Sequence, residues 1–182
     1  MVTREIHPID DTAAVLGTSR SDGNTRLLLD YVLDSRPIRV MDLSTMAMSY
    51  YDYANANSGD DFLPLIETLA GKSLWLLATP VYWYSMSAQM KVFFDRLNDV
   101  ITIRKDLGRR LRGKSVAVVA SGTERQLPEG FESPFRLTCG YLGMHYLNAH
   151  YERFGESRTP PAEARAKAAG FGAMLFDAPG EK

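Results

Sequence analysis

The 182-residue sequence predicts a doubly wound α/β domain, with five parallel strands in the order 2-1-3-4-5 and helices on both faces. Three observations predict it. Two continuous apolar runs, 73–78 and 115–120, have the composition of strands buried on both faces. Segments with helical apolar spacing alternate with strand-like runs along the chain, the pattern of a parallel sheet covered by helices. A hydroxyl-rich, glycine-containing loop joins the first strand to the first helix, where such folds bind their ligands.

The first strand is 13–17. After it, Leu28, Tyr31 and Val32 form a helical stripe that Pro37 ends, and 38–43 reads as the second strand. Residues 44–59 are polar and tyrosine-rich, hence mostly loop. Phe62, Leu65, Ile66 and Leu69 make the next helix. The third strand, 73–78, stops at Thr79-Pro80 and leads to a helix ending near Val100 whose stripe is Met90, Phe93, Phe94 and Leu97. The fourth strand is 115–120, followed by a helix within 131–142 that places Phe135, Thr138, Cys139 and Leu142 on one face. A fifth strand covers 145–149. Thr159 as N-cap and Pro160 at the first helical position open the last helix, lined by Ala164, Ala168, Phe171 and Leu175. The whole chain, 1–182, reads as one domain, with flexible ends expected at 1–10 and 178–182.

Composition narrows the function classes. A net charge of −1 offers no general attraction to nucleic acid or to an anionic membrane. No apolar run approaches the roughly 20 residues of a membrane helix, and the first residues lack the apolar core of a signal peptide, so a cytoplasmic protein is expected. Cys139 is the lone cysteine, and the three histidines show no ligand spacing, so no metal is expected.

The chemistry gathers in three loops. In the first, Thr18, Ser19, Ser21 and Thr25 carry hydroxyls, Asn24 an amide and Arg20 a charge, and Gly23 lets the backbone come close. With the N–H groups of the following helix this is an anion site, although a capped serine-rich turn has the same residues. It lacks the lysine of a P-loop and the glycine spacing of a dinucleotide fold. In the second, Pro80, Val81, Tyr82, Trp83, Tyr84 and Ser85 place three aromatics just past a buried strand, suited to bordering a flat ring or to covering a core or subunit contact. In the third, Ser121 and Gly122 leave space and supply backbone donors.

Together, Gly17-Thr18-Ser19-Arg20-Ser21 with Gly23-Asn24-Thr25, then Pro80-Val81-Tyr82-Trp83 and Ser87-Ala88-Gln89-Met90-Lys91, resemble the NADPH-dependent FMN reductase family across about residues 12 to 125. The resemblance implies a flavodoxin-like three-layer sandwich, FMN as cofactor and NADPH or NADH as electron donor. It implies that Ser19, Ser21, Asn24 and Thr25 hold the FMN phosphate. It also implies that residues 80–85 border the isoalloxazine and that Ser121 and Gly122 approach it. One departure stands out: Tyr84-Ser85 occupies the place where such proteins usually have Gly-Asn, which narrows the substrate face. The flavin carries the chemistry, so no catalytic side chain is nominated. The acceptor is expected to be a quinone, free flavin, azo dye or similar small molecule.

The resemblance further implies a homodimer or homotetramer, with the helical region 86–100 a candidate contact. It also suggests that Tyr50, Tyr51 and Tyr53 line the active site or a subunit contact. An electron-carrier flavodoxin is the main alternative, but such carriers are strongly acidic and this chain is near neutral. A flavin-binding sensor domain is another. An iron–sulfur flavoprotein needs a cysteine cluster, a phosphatase a first-loop cysteine, and a receiver domain an aspartate where Thr79 stands. The basic segment 104–114 suits either the 2′-phosphate of NADPH or a solvated connection, and the second reading is favoured because charge runs usually face solvent. His145 and His150 read as structural or surface residues, and Cys139 as core.

Overall fold

Two layers of helices enclose a single sheet in the computed structural model, which describes residues 6–155, 160 and 162–177. The strands are β1 (Thr12–Leu16), β2 (Val40–Asp42), β3 (Leu74–Pro80), β4 (Ser115–Gly122) and β5 (His145–Arg153). They pair in parallel in the order β2-β1-β3-β4-β5, the predicted topology. The helices are α1 (Asn24–Leu33), α2 (Phe62–Leu69), α3 (Ala88–Arg96), the short α4 (Asp99–Thr102) and α5 (Lys105–Arg110), α6 (Ser133–Leu142) and α7 (Ala164–Phe176).

Strand alternation divides the core in two. Ala13, Val15, Trp75, Leu77, Val116 and Val118 pack with α2, α3 and α6 on one face. Ala14, Leu16, Leu74, Leu76, Ala117 and Val119 pack with α1 and α7 on the other. Burying each of the larger side chains contributes about 1.5–3 kcal/mol, and this two-sided burial is why β1, β3 and most of β4 read as unbroken apolar runs.

Several boundaries differ from the sequence reading. Strands β3 and β4 continue to Pro80 and Gly122, pairing Thr79 with Ala120 and Pro80 with Ser121. Pro80 is tolerated because its missing N–H falls on the β1 side, past the last rung where the Gly17 N–H donates to Ala78 O (2.8 Å). The Val81 N–H, on the β4 side, donates to Ser121 O (2.7 Å). Strand β5 runs past Ala149 to Arg153, with a bulge between the rungs Val116–Tyr146 and Val118–Ala149. The extra residue returns Ala149 and Tyr151 to the face of Tyr146, so simple alternation breaks. The helix after the second loop ends at Arg96, and the short α4 and α5 occupy the connection to β4. Thr159 and residues 178–182 lie outside the described residues. At the other end, the His7 N–H donates to Leu175 O (3.0 Å) and the residue is buried. No helix among the described residues is long and apolar enough to cross a membrane.

Candidate functional site

The turns that follow β1, β3 and β4 emerge side by side because these strands are neighbours in a parallel sheet. Ser87 fastens the first to the second. Its Oγ donates to Gly17 O (2.6 Å) and accepts from the Met90 N–H (3.2 Å), capping α3, while its own N–H donates to Thr79 Oγ1 (3.0 Å). The fit is so close that a Cβ on Gly17 would lie 2.9 Å from the Met90 side chain.

Between these turns lies a cavity of about 230 Å³. Thr18, Arg20, Gly23, Asn24 and Thr25 line it from the first loop, Pro80, Val81 and Tyr82 from the second, and Ser121, Gly122 and Thr123 from the third. Phe154 and Gly155, just beyond β5, complete the wall. Neither was singled out in the sequence; the signal available was that β5 belongs to the same row of strand ends, hidden by its bulge.

The other first-loop hydroxyls face neighbouring loops. Ser19 Oγ and Tyr82 Oη are 3.2 Å apart, and Ser21 Oγ and Ser44 Oγ are also 3.2 Å apart. Ser44 in turn donates to Asp42 from its N–H and its hydroxyl. Burial pushes the Asp42 carboxyl up, but hydrogen bonds from Ser21 and Ser44 and the charge of Arg26 outweigh it, holding the group below the usual carboxylate range. Thr25 Oγ1 and Ser121 Oγ meet at 2.8 Å in a buried contact that joins α1 to β4.

Residues 82–85 form a two-residue hairpin. Tyr82 and Ser85 exchange both backbone hydrogen bonds (2.9 and 3.0 Å), and Trp83 and Tyr84 have φ of 48° and 66°. Positive φ at both central positions is the type I′ turn, usually filled by Asn-Gly. Bulky side chains there cost on the order of 1–2 kcal/mol each. Their rings gain little from burial, because Trp83 is 92% and Tyr84 65% exposed.

A contact absent from the sequence reading holds the tyrosine-rich segment after β2. Arg96, fully buried on α3, bonds the carboxylates of Asp60 and Asp99 and the carbonyls of Ser49 and Asn57, and lies over the Phe62 ring. Burial opposes the charge on both sides of the Asp60 pair. The hydrogen bonds win, so the Asp60 carboxyl stays below its ordinary range and the guanidinium above its own. Asn98 Nδ2 donates to Tyr51 Oη (2.6 Å), while Tyr50 and Tyr53 stay exposed. A charged residue on an apolar helix beside a loop rich in Asp and Asn was the available signal.

The main cleft suits a phosphate-bearing ligand. Gly23 caps α1 without a side chain, so no side-chain cap engages the first-turn N–H groups at the positive end of the helix. Asn24, Thr25 and Arg20 stand beside them.

The model of the NADPH-dependent FMN reductase family matches residues 11–156, which contain every one of these turns. The chain belongs to that family. FMN is its cofactor and a nicotinamide nucleotide its electron donor. YwqN of Bacillus subtilis (strain 168), named for NAD(P)H-dependent FMN-containing oxidoreductase activity, is 25% identical over 149 residues, 74% of this chain and 80% of that one. The structure of the Trp repressor binding protein from Bacillus subtilis superposes with a TM-score of 0.70 at 20% identity, covering 92% of this chain and 99% of the other. A FMN-dependent NADH-azoreductase from Bacillus anthracis, solved in complex with FMN, superposes with a TM-score of 0.62 at 9% identity, over 88% and 94% of the two chains. These two likenesses concern the fold. In this chain, the basic segment 104–114 lies at the opposite end of the strands from the cleft. It leads into Ser115 at the start of β4, whereas Ser121 and Gly122 end it, roughly 20–25 Å away.

Proposed function

We propose that this FMN reductase passes electrons from NADPH or NADH to a quinone, a free flavin or a similar small planar acceptor. The observation that carries the reading is the exposed aromatic turn at the rim of the cleft: Tyr82 lines it, and Trp83 and Tyr84 stand beside it in solvent. Planar, partly apolar acceptors stack on such rings. Thr18, Arg20, Asn24 and Thr25, with the first N–H groups of α1, hold the FMN phosphate. Ser19 and Ser21 brace this loop against Tyr82 and Ser44, leaving the backbone and Gly23 to approach the phosphate. Pro80, Val81, Tyr82, Trp83, Tyr84 and Ser85 border the ring system, and Ser121 and Gly122 close its other side. When bound, FMN supplies hydride acceptance from the nicotinamide and electron delivery to the acceptor. The chain's residues bind and orient; none is assigned a proton.

The exposed aromatics also support a homodimer or homotetramer in which a second copy covers Trp83. Light scattering on eluted protein checks it: a single 20.3 kDa species at micromolar concentration removes this part of the reading.

An anaerobic titration tests the activity. Purified protein loaded with FMN loses its flavin absorbance on adding NADPH or NADH and recovers it on adding a benzoquinone, with steady-state turnover. Bleaching without recovery by quinone or free flavin refutes the acceptor class. Turnover only when a separate reductase is supplied points to an electron carrier instead.

A further inference from the structure

The basic segment at the amino end of the strands is not used by the flavin site, and its side chains build a second cleft. Helices α4 and α5 meet there at Gly108, where a Cβ would lie 2.3 Å from Val100 O, so the corner is tightly closed. A cavity of about 210 Å³ opens between this corner and the end of α6. Its floor is apolar, from Val100, Ile101 and Leu142. Its rim carries Lys105, Arg109 and Arg112, with Tyr141 opposite, 77% exposed.

Three of the charges here have no ion-pair partner among the described residues. Arg104 engages both nearby carboxylates, Asp106 (2.9 Å) and Glu67 (2.8 Å). Lys105, Arg109 and Arg112 make no ion pair or side-chain hydrogen bond among the described residues. Elsewhere Arg26, Arg36, Lys91, Arg96 and Lys167 each hold a carboxylate. Lys114, just beyond, is held below the usual lysine range by burial, with Arg110 adding to the effect and Asp11 opposing it. Three such cations converging on a small cavity concentrate positive potential, and an aromatic ring over an apolar floor offers a stacking face.

We propose that this cleft binds a small polyanion of phosphates, with Lys105, Arg109 and Arg112 on the phosphates and Tyr141 available to a base. Inorganic triphosphate and a nucleotide triphosphate share that chemistry, and Tyr141 separates them.

Calorimetry with FMN-loaded protein, so that the first cleft is filled, tests this with inorganic triphosphate and with ATP as probes. Both are expected to bind saturably at one site, and the double variant Arg109→Glu, Arg112→Glu to weaken both at least tenfold. Flavin content, melting temperature and NADPH oxidation should be unchanged. If ATP binds tighter than triphosphate and Tyr141→Ala removes the difference, the site takes a nucleotide; equal binding unaffected by Tyr141→Ala assigns it to inorganic polyphosphate. The proposal is overturned if neither probe binds saturably, or if the double variant binds both within twofold of the parent.

Discussion

The first loop, with the segment after β2 that Ser44 joins to it, and the aromatic turn are built in opposite ways. On one side, the first loop and the segment after β2 have their polar groups committed to one another: Thr25 to Ser121, Ser21 to Ser44, and Arg96 to Asp60 and Asp99. Residues 18–25 hold no positive φ, and in the segment after β2 only Asn55 does (φ 55°), a residue type that tolerates it. On the other side, the 82–85 turn carries two bulky residues at positive φ with their rings in solvent. A phosphate is the same for every molecule of cofactor, so a rigid, relaxed cradle serves it. Acceptors vary, and strain persists only where surroundings enforce it, as at sites that select ligands. On the function proposed above, fixed binding and variable selection fall on different loops.

The largest test removes the strongest fastening of the rigid half. Arg96→Ala leaves Asp60 and Asp99, 12% and 3% exposed, without their cation. Breaking a buried pair from one side costs about 3–5 kcal/mol. That is a large share of a typical domain's roughly 5–15 kcal/mol. Urea denaturation of the parent and the variant should show it directly. A loss under about 1 kcal/mol would mean that the segment holding Tyr50 and Tyr53 is not pinned, and the contrast with the aromatic turn would lose half its basis.

Next is Thr25→Val, which keeps the shape and removes one hydroxyl from the buried Thr25–Ser121 contact. The stranded Ser121 hydroxyl costs about 1–3 kcal/mol. Flavin affinity, read by fluorescence quenching, is expected to fall by about tenfold. A variant that holds FMN as tightly as the parent would show that this contact fastens the fold and contributes nothing to the cradle.

The legibility of the fold and site in the sequence divides along the same line. Strands β3 and β4 were plain because both faces are buried, and every burial position there is filled by an apolar or small residue. Their last residues were not, since Pro80 and Ser121 read as loop while the neighbouring strand holds them in register. The β5 bulge hid Phe154, which the shifted register carries to the cleft wall. Arg96 is not legible as a fastening residue, because a charge on a helix reads as solvent-facing until its partner from a distant loop is in place. The turn at Trp83-Tyr84 carries no Asn or Gly to announce its type; only the exchanged hydrogen bonds of Tyr82 and Ser85 reveal it.

That turn provides the third test. Replacing Trp83-Tyr84 by Asn-Gly suits the I′ geometry and removes the strain, offset by the entropy glycine adds to the unfolded chain. A net gain of about 1 kcal/mol is expected in thermal unfolding. KM for quinone should rise, while FMN affinity, carried mainly by the phosphate cradle and the backbone of this turn, should change far less. A loss of FMN affinity equal to that of Thr25→Val would erase the distinction between the two halves, because selection and cradle would then share the same residues.

The smallest effect belongs to Asp42, at the junction of β2 and the first loop. Its carboxyl titrates below the ordinary range, where the unfolded chain stands near 3.9. A depressed folded value means the native state binds the proton less readily. The stabilisation is therefore complete above the unfolded value and lost as pH falls through the folded one. Melting temperatures of the parent and Asp42→Asn should differ by a constant amount near neutral pH and converge below about pH 4. A difference that persists unchanged at about pH 3 would mean Asp42 acts through shape alone. The Ser21–Ser44–Asp42 chain would then not be the electrostatic brace that keeps the first loop relaxed while the aromatic turn opposite it is strained.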